Sequence, residues 1–246
     1  MPVEVDISPD YDALSRAVAD RIIRTIAARP DALIVVPTGS TPLGVYDRLV
    51  ADAAADRVDF SRMRMIQLDE YQGIAADDAR SLHGWLDRVF LTPAGVHQAN
   101  VIRFDSAAPD IDAELDRVAR MVAASGGIDL AVLGLGPNGH LGFNEPGSSF
   151  DAPVQRITLT PESIRSNGAY WGDEDRVPRC GFTLGIGTLR GAKRTILMVS
   201  GAHKADILAR SLYGPVTRDL PATILQTMEN VTVMADADAA AGLDVS

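Results

Sequence analysis

The sequence predicts an α/β fold: a doubly wound, mostly parallel sheet with helices on both faces. Short apolar runs alternate with helical patterns from one end of the chain to the other, which is the pattern of βαβ units. The apolar runs are also continuous, as expected for strands covered on both faces. Across 246 residues there is no internal repeat, low-complexity linker or abrupt change of composition, so one domain over 1–246 is expected.

Taken in order, Leu14, Val18, Ile22 and Ile26 recur every four residues behind a Ser8-Pro9 start and predict an amphipathic helix entered at about residue 8. The run LIVV at 33–36 reads as a buried strand, followed by the turn PTGSTP and a helix through Tyr46, Leu49 and Val50. Further strands are expected at 63–68, 129–135, 195–200 and 231–235, with helical patterns near 80–91, 110–125 and 202–213 between most of them. Pro161 suits a first helical turn, so PESIRSNGA begins as a helix after Thr160.

Composition excludes several classes. Apolar content of 46% with 23% charged residues is ordinary for a globular chain. The single cysteine, Cys180, rules out a disulfide framework and points to a reducing compartment. The start MPVEVDISPD lacks a basic region followed by an apolar stretch, and no run reaches the length of a membrane span. A cytoplasmic protein with no membrane partner is the expectation. A net charge of −10, with 23 Lys and Arg in no dense cluster, argues against a nucleic-acid surface. An anionic ligand would need a locally positive site.

Three strand ends carry chemistry. Gly134 to Pro146, GLGPNGHLGFNEP, contains a literal G-x-G-x-x-G, but a dinucleotide site needs a helix after the third glycine, and Gly142, Asn144 and Pro146 oppose one. The loop instead crowds His140, Asn144 and Glu145 together. A carboxylate beside an imidazole fixes its tautomer and raises its basicity, although a lone histidine is more often structural. In PTGSTP, Gly39 permits close backbone approach and Ser40 and Thr41 add hydroxyls ahead of a helix, a phosphate cradle or simply a well-capped helix. In QLDEY, Asp69 and Glu70 stop an apolar strand, where a part-buried carboxylate can serve as a general base and an exposed one is a solvated turn. No metal-ligand spacing occurs, so no metal is expected, and the absence of a G-x-S-x-G elbow argues against a Ser–His–Asp hydrolase.

In succession, LIVVPTGSTPLGVY, MIQLDEYQGI, LGLGPNGHLGFNEPGSSF, VPRCGFTLGIGTL, SGAHKADIL and PATILQTMENVTV resemble the glucosamine-6-phosphate deaminase/isomerase family over nearly the whole chain. The resemblance implies conversion of an amino-sugar 6-phosphate to a ketose 6-phosphate plus ammonia, without a cofactor. It assigns ring opening to His140, held by Glu145 and Asn138, and removal of the C2 proton to Asp69. It gives the phosphate to Thr38, Gly39, Ser40, Thr41 and Lys204. Three positions depart from the family. Asn138 stands where some members have Asp; Ala169 stands where the family has its phosphate-binding arginine; and Gln155 and Ile157 replace basic residues that regulated members use for an effector. Arg165, one helical turn before Ala169, is the expected substitute for the missing cation or else a solvated surface arginine, with Arg156 as another candidate. The alternatives are the galactosamine 6-phosphate epimer, lactone hydrolysis as in the related 6-phosphogluconolactonases, and a non-catalytic sugar-phosphate sensor. The sequence leaves monomer against homo-oligomer open.

Overall fold

The computed structural model describes residues 3–75 and 77–243. Among these, seven parallel strands form the central sheet: β1 (Glu4–Ser8), β2 (Leu33–Val36), β3 (Arg64–Gln67), β5 (Val101–Ile102), β6 (Leu130–Gly134), β9 (Thr195–Val199) and β10 (Val231–Asp236). Their spatial order is β1-β10-β9-β6-β2-β3-β5. Chain progression reverses between β2 and β6, so the loops leaving these two strands diverge and open a crevice at the carboxyl edge of the sheet.

The side chains of each inner strand divide by parity. Ile34, Val36, Leu130, Val132, Ile196 and Met198 pack on one face, against α1 (Tyr11–Ala28) and α2 (Leu43–Ala54). Leu33, Val35, Ala131, Leu133, Leu197 and Val199 pack on the other, with residues of α4 (Ile111–Ala124) and α7 (Ala205–Tyr213). This two-sided burial is why the strands read as continuous apolar runs.

Three expectations need correction. Residues 4–8 form strand β1, and the first helix starts at Tyr11, capped by Asp10, whose carboxylate accepts from Ala13 N at 2.7 Å. EVDIS mixes charged and apolar residues, and β1 finds its partner β10 at the far end of the chain. The apolar run 63–68 breaks at Leu68, after which β4 (Asp69–Tyr71) joins a second sheet, antiparallel in the order β4-β8-β7, with β7 (Val154–Thr158) and β8 (Cys180–Leu184). The pattern near 80–91 is α3 (Leu82–Leu86) continued by a wider turn over Asp87–Leu91. The expected helix after Thr160 is α5 (Pro161–Trp171), and a short α6 (Ile186–Arg190) follows β8. No described helix is long and apolar enough to cross a membrane.

Candidate active site

The crevice widens into a cavity of about 900 Å³. Thr38, Gly39, Ser40, Thr41, Asp69, His140 and Lys204 all line it.

At the end of β2, Gly39 takes φ +103°, which turns the loop across the start of α2. Among the described residues, the backbone N–H groups of Gly39, Ser40 and Thr41 make no hydrogen bond, whereas Leu43 N returns to Ser40 O. The loop is braced by Tyr11, whose hydroxyl donates to Thr41 O at 3.0 Å and accepts from Gly44 N at 2.9 Å. Successive free N–H groups in a turn that leads into a helix form an anion-binding surface. Lys204 approaches from the loop after β9, its Nζ donating to Leu135 O at 2.8 Å, and burial lowers its pKa.

At the end of β3, two adjacent carboxylates separate. Strand geometry sends successive side chains to opposite faces, and Asp69 and Glu70 obey it. Glu70 turns from the cavity and accepts from the backbone N–H groups of Tyr71, Leu82 and His83 and from Gln67 Nε2. It ties β4 to the start of α3. Asp69 faces the cavity, only 6% exposed, and its Oδ1 has no hydrogen-bond partner. Burial, with a smaller contribution from the charge of Glu70, pushes the Asp69 carboxyl up to about 8.

The glycine-rich loop after β6 has a packing reason for its spacing. A Cβ on Gly136 would stand 2.2 Å from Cδ2 and Nε2 of His140, so the imidazole lies directly on the Gly136 backbone. Its Nδ1 is 3.2 Å from Ser163 Oγ and 3.5 Å from Glu145 Oε2, which leaves Nε2 as the atom free for a ligand. Asn138 does not reach the ring. Its Nδ2 donates to Glu145 Oε2 at 2.7 Å and its Oδ1 accepts from His140 N, so it orients the imidazole through the carboxylate and the backbone. Burial alone would raise the pKa of Glu145, but the hydrogen bond and charge of His140, with hydrogen bonds from Ser163 and Asn138, hold it at about 2. Thr160 donates its hydroxyl to Glu145 Oε2 and also caps α5. Sequence reading missed Thr160 and Ser163: they look like an ordinary helix start, and only the fold brings that start to Glu145.

The structure does not bring Arg165 to the cavity. Ser166, Asn167, Tyr170 and Trp171 form the lining face of α5, while Arg165 and Ala169 share its solvent face. One turn does separate the two, but Ser163, Ile164, Gly168 and Trp171 are the buried positions, and they turn 165 and 169 outward. Gln155 donates to Asn144 Oδ1 at 2.8 Å, and Ile157 packs against the cluster that includes Leu159 and Ile164.

Residues 9–234 match the sequence model of glucosamine-6-phosphate isomerases/6-phosphogluconolactonase. The chain belongs to this family. Curated members include a glucosamine-6-phosphate deaminase of Streptomyces coelicolor, 38% identical over 99% of this chain and 94% of its own length, and one of Geobacillus sp., 36% identical over 94% and 92%. A solved structure described as a monomeric glucosamine-6-phosphate deaminase superposes with a TM-score of 0.93 at 33% identity, covering 99% of this chain and all of that one. Family membership thus rests on nearly the whole length.

Proposed function

We propose that the protein isomerises and deaminates glucosamine 6-phosphate, giving fructose 6-phosphate and ammonia. The observation that carries this reading is Asp69: a buried carboxyl with an unpartnered oxygen, raised to about 8, facing the cavity that also holds a histidine and, ahead of α2, a loop with free N–H groups. A carboxyl in that state is a base poised near neutral pH. Relatives named for this activity at 33–38% identity support the same reading.

In this reading the loop Thr38–Thr41 and Lys204 take the 6-phosphate, anchoring one end of the sugar. His140, through Nε2, carries the proton between the ring oxygen and the C1 hydroxyl, and opening yields the aldehyde. Glu145 stays ionised behind Nδ1 to hold the tautomer, with Asn138, Thr160 and Ser163 fixing the carboxylate and ring. Asp69 removes the C2 proton, made acidic by the neighbouring aldehyde, and a proton taken up at O1 of the enolate gives the enolamine. Returning a proton to C1 gives the C2 imine with a C1 alcohol; water then adds to C2 and ammonia leaves. The amine and aldehyde of the substrate supply the activation, so the protein's part in each step is to move protons.

Assay of the purified protein for ammonia release from glucosamine 6-phosphate, galactosamine 6-phosphate and 6-phosphogluconolactone tests the proposal. Release from the gluco substrate, with kcat/KM well above the galacto epimer, is the expected result. Faster turnover of the epimer would reassign the substrate, and lactone hydrolysis without ammonia release would overturn the reaction.

A further inference from the structure

If the site takes a sugar phosphate, its charge is short of what that ligand needs. A phosphate ester carries roughly two negative charges at neutral pH. It would enter a protein of net charge −10 through a cavity also lined by Asp12 and Asp47. Lys204 supplies one cation, and neither position 165 nor 169 reaches the cavity to supply another. The only arginine lining the cavity among the described residues is Arg80.

Arg80 is held on two sides. Its guanidinium stands 4.5 Å over the ring of Trp171. Nε and Nη2 form a fork on the carboxylate of Asp78, at 2.9 and 2.7 Å, and the Arg80 backbone N–H also donates to Asp78. Nη1 has no partner among the described residues. The supporting indole is 7% exposed and meets Tyr71 edge-on at 5.2 Å, so Arg80 rests on a stack continuous with β4, the strand that carries Asp69. Stacking on an aromatic face and a two-point carboxylate fork both limit the freedom of a guanidinium, so little remains to be lost when it binds an oxyanion.

Position along the cavity follows from the neighbouring residue. Tyr170 precedes Trp171, and its phenolic oxygen lies 3.9 Å from where a Cβ on Gly39 would stand. The end of α5 that supports Arg80 therefore sits over the loop whose free N–H groups await an anion. We propose that Arg80, held on Trp171, is the second cation of the phosphate site, donating from Nη1 to a phosphate oxygen. The proposal rests on the sugar-phosphate reading of the site.

Steady-state kinetics with glucosamine 6-phosphate and calorimetric titration with inorganic phosphate, on wild type, Arg80→Ala, Arg80→Lys and Arg165→Ala, test it. Arg80→Ala should raise KM and the phosphate dissociation constant about tenfold each, with kcat changed less than threefold, as expected for loss of a charge-assisted contact. Arg80→Lys should fall between, since it keeps the charge but not the fork or the stack. A residue that merely braced α5 would lower kcat or thermal stability and leave phosphate affinity alone, and that result would overturn the proposal. So would an unchanged phosphate affinity in folded Arg80→Ala, or a tenfold loss confined to Arg165→Ala. If wild type releases no ammonia from any amino-sugar phosphate, the deaminase reading fails, and the titrations still decide whether Arg80 binds phosphate.

Discussion

Two buried carboxylates flank the cavity and are kept in opposite states. Glu145, 2% exposed, accepts hydrogen bonds from Asn138 and Thr160 beside the His140 ring, and stays ionised with a pKa near 2. Asp69, 6% exposed, has an oxygen without any donor and a pKa near 8. The hydrogen bond and charge of His140, with hydrogen bonds from Ser163 and Asn138, outweigh burial at Glu145, whereas burial and the charge of Glu70 act unopposed at Asp69. The loop after β6 supplies a ready-made cage, whereas β4 presents Asp69 bare to the cavity. Such a divergence of two acids in one site separates a permanent orienting charge from a proton acceptor.

Asp69→Asn should lower kcat by about 10²-fold or more, because the amide cannot take the C2 proton. The same change should stabilise the fold. Asp69 titrates above its ordinary value of 3.8 when folded, so the native state holds a proton that the unfolded chain releases. Its contribution to stability is therefore largest below about pH 4 and is lost as pH rises towards 8. Thermal melts should show the variant gaining on wild type by several degrees between pH 5 and pH 8. Near-normal turnover in a folded variant would place the base elsewhere, and Glu70 is a poor successor because three backbone donors and Gln67 already occupy its oxygens.

The second effect is on pH dependence. With Asp69 as base, kcat/KM should climb about tenfold per pH unit from pH 6 and level off near 8, and Glu145, already ionised, should add no limb in that range. A flat profile from pH 6 to 8 would remove the contrast between the two acids.

The smallest effect tests the cage. Ser163→Ala removes the hydroxyl that meets both His140 Nδ1 and Glu145, while Asn138 and Thr160 still hold the carboxylate, so kcat should fall only about three- to tenfold with KM nearly unchanged. No change in kcat would mean that Glu145 alone sets the ring.

Much of this was legible in the residues. LIVV followed by PTGSTP, and DLAVLGL followed by the His140 loop, follow a strand-turn-helix or strand-loop grammar that is local, so both site loops could be placed without a fold. Asp69 could be singled out as well, but not its state. Its raised pKa comes from burial and from the charge of Glu70, and the antiparallel pairing of β4 with β8 puts that burial in place. EVDIS gave too weak a pattern to reveal β1, whose register is supplied by β10.

The sequence by itself determined the layered α/β plan, the chemistry of the strand ends and the helical spacing of 165 and 169. Tertiary structure decided which way that helix faced: apolar Ile164 and Trp171 had to be buried, and a rigid helix turned by those two residues carries Arg165 away from the cavity. It also decided that Arg80, in the polar run AADDAR with no period of its own, meets Trp171. A side chain's type and periodicity are written locally, but the partner it faces depends on long-range packing, where one face of an element is buried at the expense of another.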